Sequence, residues 1–281
     1  MPHRFTGLAM VALLSACSPV SILNALSPKS GLIETRDVRY AFGDRHTLDV
    51  YAPAGAERAP VVVFVYGGGW TSGQKDDYRF VGATLAARGF VTVIPDYRVF
   101  PQVRYPGFLR DNAAAVAWAR ANAARFGGDP DRLFLMGHSA GAYNVVMLTL
   151  DKQWLQEAGM DPDRDIAGTI GLSGPYDFLP LRDAELEAIF APASDLRRSQ
   201  PIVHARGDAP PLFLATGTND DTVLPRNTEH LAAAIERDGG RVEARYYPGV
   251  NHTRIIGAVS GVVRWMAPTL SDALSFLKAR S

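Results

Sequence analysis

Five short apolar runs, spaced along the chain with helix-type segments between them, constrain this sequence most. They are residues 60–66 (PVVVFVY), 90–94 (FVTVI), 132–136 (RLFLM), 167–172 (AGTIGL) and 211–216 (PLFLAT). Each has strand length and almost no polar side chain, so each reads as a strand buried on both faces. Helical signals fill the gaps. Residues 77–87 stop at Gly89, residues 108–122 end by Gly127-Gly128, and residues 227–237 end at Gly239-Gly240. A last helix covers roughly residues 269–278. Strands that alternate with helices make an α/β protein, a mostly parallel sheet with helices on both faces. Residues 38–42 and 47–51 alternate apolar and polar side chains around Gly43-Asp44 and suit an antiparallel hairpin at a sheet edge. Residues 241–247 alternate too and suit the final strand. The strand order is not legible in one sequence.

The N-terminus carries a different signal. Arg4 gives a short positive region and residues 8–16 an apolar stretch too short to span a bilayer. It ends Leu14-Ser15-Ala16-Cys17, and Cys17 is the only cysteine of the 281 residues. This resembles the lipobox of bacterial lipoproteins, which implies removal of residues 1–16 and lipid on the Cys17 sulfur. Several acyl chains there satisfy the requirement for stable anchoring. The expected location is the cell envelope, on the periplasmic side, at the outer membrane. Residues 17–34 then read as a tether and residues 35–281 as the folded domain. With no second cysteine the fold rests on its core.

The chemistry centres on Gly137-His138-Ser139-Ala140-Gly141, which reads G-x-S-x-G. A strand precedes it and a helix can start at Ala142. A sharp strand-to-helix turn needs small neighbours around the serine. It lifts the hydroxyl out of the sheet and aims a helix N-terminus at a reacting oxyanion. Serine is a poor nucleophile until a base takes its proton. Of six histidines, His252 is the candidate, because it follows the last strand in Tyr247-Pro248-Gly249-Val250-Asn251-His252. Reactive groups gather at the carboxyl ends of such strands. His138 adjoins the serine, so its side chain should leave the turn in another direction. The acid that orients the imidazole has three candidates: Asp220 first, then Asp221 and Asp177. The backbone N–H groups of Gly68 and Gly69, after the strand at 60–66, and of Ala140 suit an oxyanion hole. Trp70, Tyr97, Tyr143, Tyr176 and Phe178 stay open between pocket lining and core.

Two other readings fall away. Gly68 to Lys75 nearly matches a phosphate-binding loop, but the lysine is one place late and Asp76-Asp77 stand where a hydroxyl should hold magnesium. There is no H-E-x-x-H and no cysteine pair, so no metal or cofactor is expected. Formal net charge is zero, which gives no electrostatic case for nucleic acid. Residues 173–210 exceed a simple connection. Residues 183–190 suit a short helix there, in a small cap or in an ordinary crossover.

Taken together these residues resemble the α/β-hydrolase superfamily, and within it exported carboxylesterases of the hormone-sensitive-lipase and feruloyl-esterase-like groups. The resemblance covers residues 48–278. It rests on Tyr66-Gly67-Gly68-Gly69-Trp70, where the family has H-G-G-G-[FW], on Asp96-Tyr97-Arg98, on the G-x-S-x-G turn, on residues 217–223 and on residues 247–252. In the family motif G-x-x-D-x-x-V the triad acid falls on Asp220. The resemblance implies a serine esterase acting on a small-molecule ester. An amidase of the same fold, such as an arylformamidase or small peptidase, is the alternative, followed by a non-catalytic binding protein. The departure is Tyr66 in place of histidine, which puts the geometry of the glycine loop in question.

Overall fold

The computed structural model of the chain describes residues 19–280. Helix α1 (Pro19–Leu26) leads into strands β1 (Leu32–Arg39), β2 (Thr47–Pro53) and β3 (Ala59–Val65). Helix α2 (Arg79–Ala86), strand β4 (Val91–Pro95), helix α3 (Gly107–Asn122) and strand β5 (Gly128–His138) follow. After the turn at Ser139 come α4 (Ala140–Leu150), the short α5 (Gln153–Glu157) and α6 (Pro162–Asp165), and β6 (Gly168–Leu172). Helix α7 (Ala184–Phe190) lies in the long excursion before β7 (Leu212–Gly217). The chain closes with α8 (Arg226–Arg237), β8 (Val242–Tyr247), α9 (His252–Gly257) and α10 (Thr269–Lys278).

The eight strands form one sheet in the order β1-β2-β4-β3-β5-β6-β7-β8. β1 pairs antiparallel with β2, and β2 with β4; every later pair is parallel. The hairpin expected around Gly43-Asp44 is therefore the antiparallel edge. Its first strand starts six residues earlier than the alternation suggested, and its register breaks between Thr35 and Val38, where Asp37 has φ 54°. The central strands carry the core. All residues of β4, β6 and β7 are buried, as are 61–65 of β3 and 133–138 of β5. Strands buried on both faces require helices on both faces. Phe276 of α10 illustrates the packing, with its ring 5.7 Å from that of Phe213 on β7.

Residues 17–34 do not form the free tether expected from the sequence, as far as they are described. Pro19–Leu26 is a helix docked on the start of α2. Asn24 Oδ1 accepts from Phe80 N at 2.9 Å, and Asn24 Nδ2 donates to Asp76 O at 2.8 Å. The Arg79 guanidinium donates to the carbonyls of Asn24 and Pro28, to the Ser27 hydroxyl and to the Glu34 carboxylate. Signals from a short segment gave no warning, because this helix is fixed by contacts with residues some 50 positions away. Cys17 and the stretch before it lie outside the described residues.

Lys75, the lysine of the near-match to a phosphate loop, is spent internally. Its ammonium is buried between Asp37 at 2.7 Å and Asp49 at 3.0 Å. Burial lowers its pKa, but the bonds to those two carboxylates outweigh it and hold the group above its ordinary value.

The docked helix makes a testable claim. Asn24→Ala removes the acceptor that caps Phe80 N–H, and the expected cost is about 1 kcal/mol. For a chain of this size that lowers Tm by roughly 2–4 °C. Thermal unfolding of the two proteins measures it; an unchanged Tm would mean that the helix contributes nothing.

Candidate active site

The site starts from a backbone constraint. Ser139 sits between β5 and α4 at φ 55°, ψ −126°, a conformation that costs a non-glycine residue of order 1–3 kcal/mol. The turn persists because its neighbours leave no alternative. A Cβ on Gly141 would stand 2.0 Å from the Val65 carbonyl oxygen, and one on Gly137 would stand 2.3 Å from that of Gly141. Ser139 N donates to Leu172 O at 2.9 Å, which ties the turn to β6. The side chain therefore leaves the end of the central strand with α4 beginning at the next residue.

His252 Nε2 lies 2.9 Å from Ser139 Oγ, and His252 Nδ1 lies 2.9 Å from Asp220 Oδ2. The structure thus brings together the serine, the histidine and the first of the three acid candidates. Asp220 is buried, and its other oxygen accepts from Val223 N at 2.8 Å and Thr222 N at 3.1 Å. Burial raises its pKa, but the bonds from His252 and Val223 prevail and keep the carboxyl below its usual value. The other two candidates are elsewhere. Asp177 pairs with His230 at 2.6 Å, and Asp221 is exposed.

His252 does not sit in a loop, as the sequence suggested. It is the first residue of α9, a turn of helix started by Asn251, whose side chain accepts from Arg254 N at 3.0 Å. The sequence reading also gave no role to His138. Its ring packs 4.7 Å from that of His252, and its Nε2 meets the carbonyl oxygen of His252 at 2.9 Å. Burial first, then the charge that His252 would carry, push its pKa down to about 3. A neutral imidazole there donates Nε2–H to that carbonyl, so the residue before the serine braces the histidine from behind. Only the approach of the end of β5 to the start of α9 creates this contact, and no local signal announces it.

The glycine loop after β3 passes directly against the serine: a Cβ on Gly67 would lie 2.8 Å from Ser139 Cβ. Among the described residues, the N–H groups of Gly68, Gly69 and Ala140 have no hydrogen-bond acceptor. Tyr66 answers the question raised by the missing histidine. Its hydroxyl donates to Asp96 Oδ1 at 2.6 Å and accepts from Arg45 Nη2 at 2.8 Å. Asp96 Oδ1 also accepts from Lys75 N at 2.8 Å, and Arg45 donates to Gly73 O at 2.7 Å, so both ends of the loop share one anchor. The Tyr66 ring stacks on Tyr97, 4.9 Å between centroids, and the Tyr97 hydroxyl donates to Tyr66 O at 3.0 Å.

A cleft of about 540 Å³ opens over Ser139. Trp70 and Phe178 line it, together with Leu186 of α7 and Val223 and Leu224. Tyr143 does not. It is fully buried behind Trp70, its hydroxyl donates to Ser199 O at 2.7 Å, and its ring meets Trp70 edge-on at 5.1 Å. It is core, placed there because position 143 on α4 faces the helix layer rather than the mouth. Tyr97 and Tyr176 are buried as well. The excursion at 173–210 forms one wall of the cleft through Phe178 and Leu186, while Ile189 and Phe190 pack inward. A larger cleft of about 930 Å³, beside His230 and Gln200, contains none of the three residues. Among the described residues no group of histidine, cysteine and carboxylate side chains is arranged to hold a metal.

Comparison with known proteins shows the family of the chain. The chain is 31% identical over 241 residues to a probable isoprenylcysteine alpha-carbonyl methylesterase, ICMEL1, of Oryza sativa subsp. japonica, covering 78% of this chain and 56% of that protein. It is 30% identical over 244 residues to the esterase LipC of Mycobacterium tuberculosis, covering 78% of this chain and 60% of LipC. The chain thus spans less than two thirds of the length of these curated relatives. Among solved structures, esterase 2 of Thermogutta terrifontis in its apo form superposes with a TM-score of 0.72 at 25% identity, covering 90% of this chain and 96% of that one. A truncated carbohydrate esterase from gut microbiota shares the fold, with a TM-score of 0.77 at 18% identity over 90% of this chain and 98% of that chain. The BD-FAE family profile matches residues 48–235, which hold the hairpin's second strand, the glycine loop, the serine turn and Asp220. The chain has the α/β-hydrolase fold and belongs to the BD-FAE family.

Proposed function

We propose that this protein is a serine carboxylesterase acting on small acyl or aryl esters. The observation that carries the reading is the unbroken line from Ser139 Oγ through His252 to Asp220, with both contacts at 2.9 Å. Ser139 attacks the ester carbonyl while His252 Nε2 takes its proton. Asp220 holds the imidazole with Nε2 facing the serine and offsets the imidazolium charge. The N–H groups of Gly68, Gly69 and Ala140 receive the oxyanion, and their lack of internal acceptors leaves them free for it. His252 then protonates the leaving alcohol, and water, activated by the same histidine, releases the acid. The esterase names of the relatives support the same reaction class.

On this reading Ser139→Ala lowers kcat by roughly 10⁶-fold with the fold intact. Asp220→Asn lowers kcat about 10⁴-fold, since an amide favours the wrong imidazole tautomer. Asp221→Asn and Asp177→Asn stay close to wild type, because one side chain faces solvent and the other serves His230. Steady-state kinetics of the four variants on p-nitrophenyl butyrate provides the test. Near-wild-type turnover by Ser139→Ala would overturn the serine mechanism, and Asp177→Asn as the weakest of the three would reassign the acid.

We also propose that the enzyme is held in the bacterial envelope by lipid on Cys17, on the strength of the Leu14-Ser15-Ala16-Cys17 signal and the absence of any other cysteine. Cys17→Ser should move the protein from the detergent phase to the aqueous phase on partitioning, or leave it as uncleaved precursor. Equal partitioning of both forms would refute the anchor.

A further inference from the structure

The cleft over Ser139 is not electrically neutral. Two arginines line it, Arg182 from the excursion before α7 and Arg226 from the start of α8, against a single acid, Asp183. Asp183 is already committed: its Oδ1 caps α7 by accepting from Glu185 N at 2.9 Å and Leu186 N at 3.0 Å. Asn227, the neutral polar residue beside Arg226, is equally occupied. Its Oδ1 accepts from Tyr176 N and Asp177 N, both at 2.9 Å, and its Nδ2 donates to Leu224 O.

Neither guanidinium has an ion pair or hydrogen bond to any described residue, and both are exposed to the cleft and solvent. Arg45, Arg79, Arg98 and Arg206, by contrast, each make several such bonds. Exposed arginines elsewhere, such as Arg39 and Arg241, also lack them, and what distinguishes Arg182 and Arg226 is their place on the wall of the cleft over Ser139. Arg226 also violates a local rule. It is the first residue of a 12-residue helix, where a positive charge opposes the helix dipole and an acid is preferred. A residue that is locally unfavourable and has no internal partner, on the wall of a reactive cleft, marks a functional position. Apart from Thr222, the rest of the wall is largely apolar, with Trp70, Phe178, Leu186 and Leu224.

We propose that Arg182 and Arg226 select esters that carry a negative charge, with an apolar portion against the aromatic and leucine wall and an anionic group, such as a carboxylate, on the guanidinium pair. This rests on the esterase reading of Ser139 and adds its substrate class. Arginine suits the task, since its planar fork meets a carboxylate through two parallel bonds.

The test compares matched esters that differ only in charge. On the acyl side these are 4-nitrophenyl hexanoate and the adipate monoester of 4-nitrophenol; on the alcohol side, phenyl acetate and 4-acetoxybenzoate. Turnover is measured with the wild-type enzyme and with Arg182→Gln/Arg226→Gln. Binding is measured by calorimetry with Ser139→Ala and with Ser139→Ala carrying both glutamines, which requires no turnover. For one of the two pairs, the anionic-to-neutral ratio of kcat/KM and of affinity should fall about tenfold in the double-glutamine background, the loss of one charge-assisted contact. The same ratio should fall as salt is raised. Using ratios cancels any loss of folded protein. If both ratios are unchanged by the glutamines, the arginines do not read charge and the proposal fails. If neutral and anionic esters bind but none is turned over, the esterase reading fails instead, and the binding ratios still decide the role of the arginines.

Discussion

The absence of a side chain at Gly141 is the constraint on which the site depends. With the Val65 carbonyl only 2.0 Å from where a Cβ would be, α4 can lie against the end of β3 only if position 141 is bare. That approach forces the chain through φ 55° at Ser139 and pushes its side chain out of the sheet. It also places the serine against Gly67, so the serine and the glycine loop are set by one packing event. The strain is held by the sheet: β5 is paired with β3, and its last five residues, Phe134–His138, with β6, and Ser139 N is bonded to Leu172 O. A local cost is thus met by long-range contacts, as expected where a fold holds a reactive residue.

The rest of the machinery is hung on strand ends. Asp220 follows β7 and His252 follows β8, and their neighbours hold them in place through Val223 N and through His138. The glycine loop is anchored differently. Where the family pattern has histidine, Tyr66 reaches farther and bonds Asp96, while Arg45 arrives from the edge hairpin to bridge the Tyr66 hydroxyl and Gly73. The antiparallel edge is therefore part of the support of the site and not merely the border of the sheet. The Tyr66 side chain sits beside an Arg45–Asp96 ion pair and stacks on Tyr97, with the loop still against the serine.

Much of this was legible because the signals were local. The parallel strands are runs of buried valine, leucine and isoleucine, and the glycines at 89, 127 and 239 fall a few residues beyond the ends of α2, α3 and α8. Ser139, Asp220 and His252 could be named because each comes a few residues after a strand, in a short patterned stretch of sequence. What escaped was non-local. The docking of α1 depends on Asn24 meeting Phe80, the brace of His138 depends on the end of β5 meeting the start of α9, and the burial of Tyr143 depends on which way α4 faces. The order of the strands belongs to the same class, since pairing β4 between β2 and β3 is decided by packing and not by any one segment.

The central claim is that Ser139 is the activated nucleophile. Its most direct test is intact-mass and peptide analysis of the wild-type protein after treatment with a fluorophosphonate, which traps a serine made nucleophilic by its histidine. The account predicts one adduct per chain, on the peptide containing Ser139. An adduct on another residue, or no adduct on folded protein at neutral pH, would contradict it.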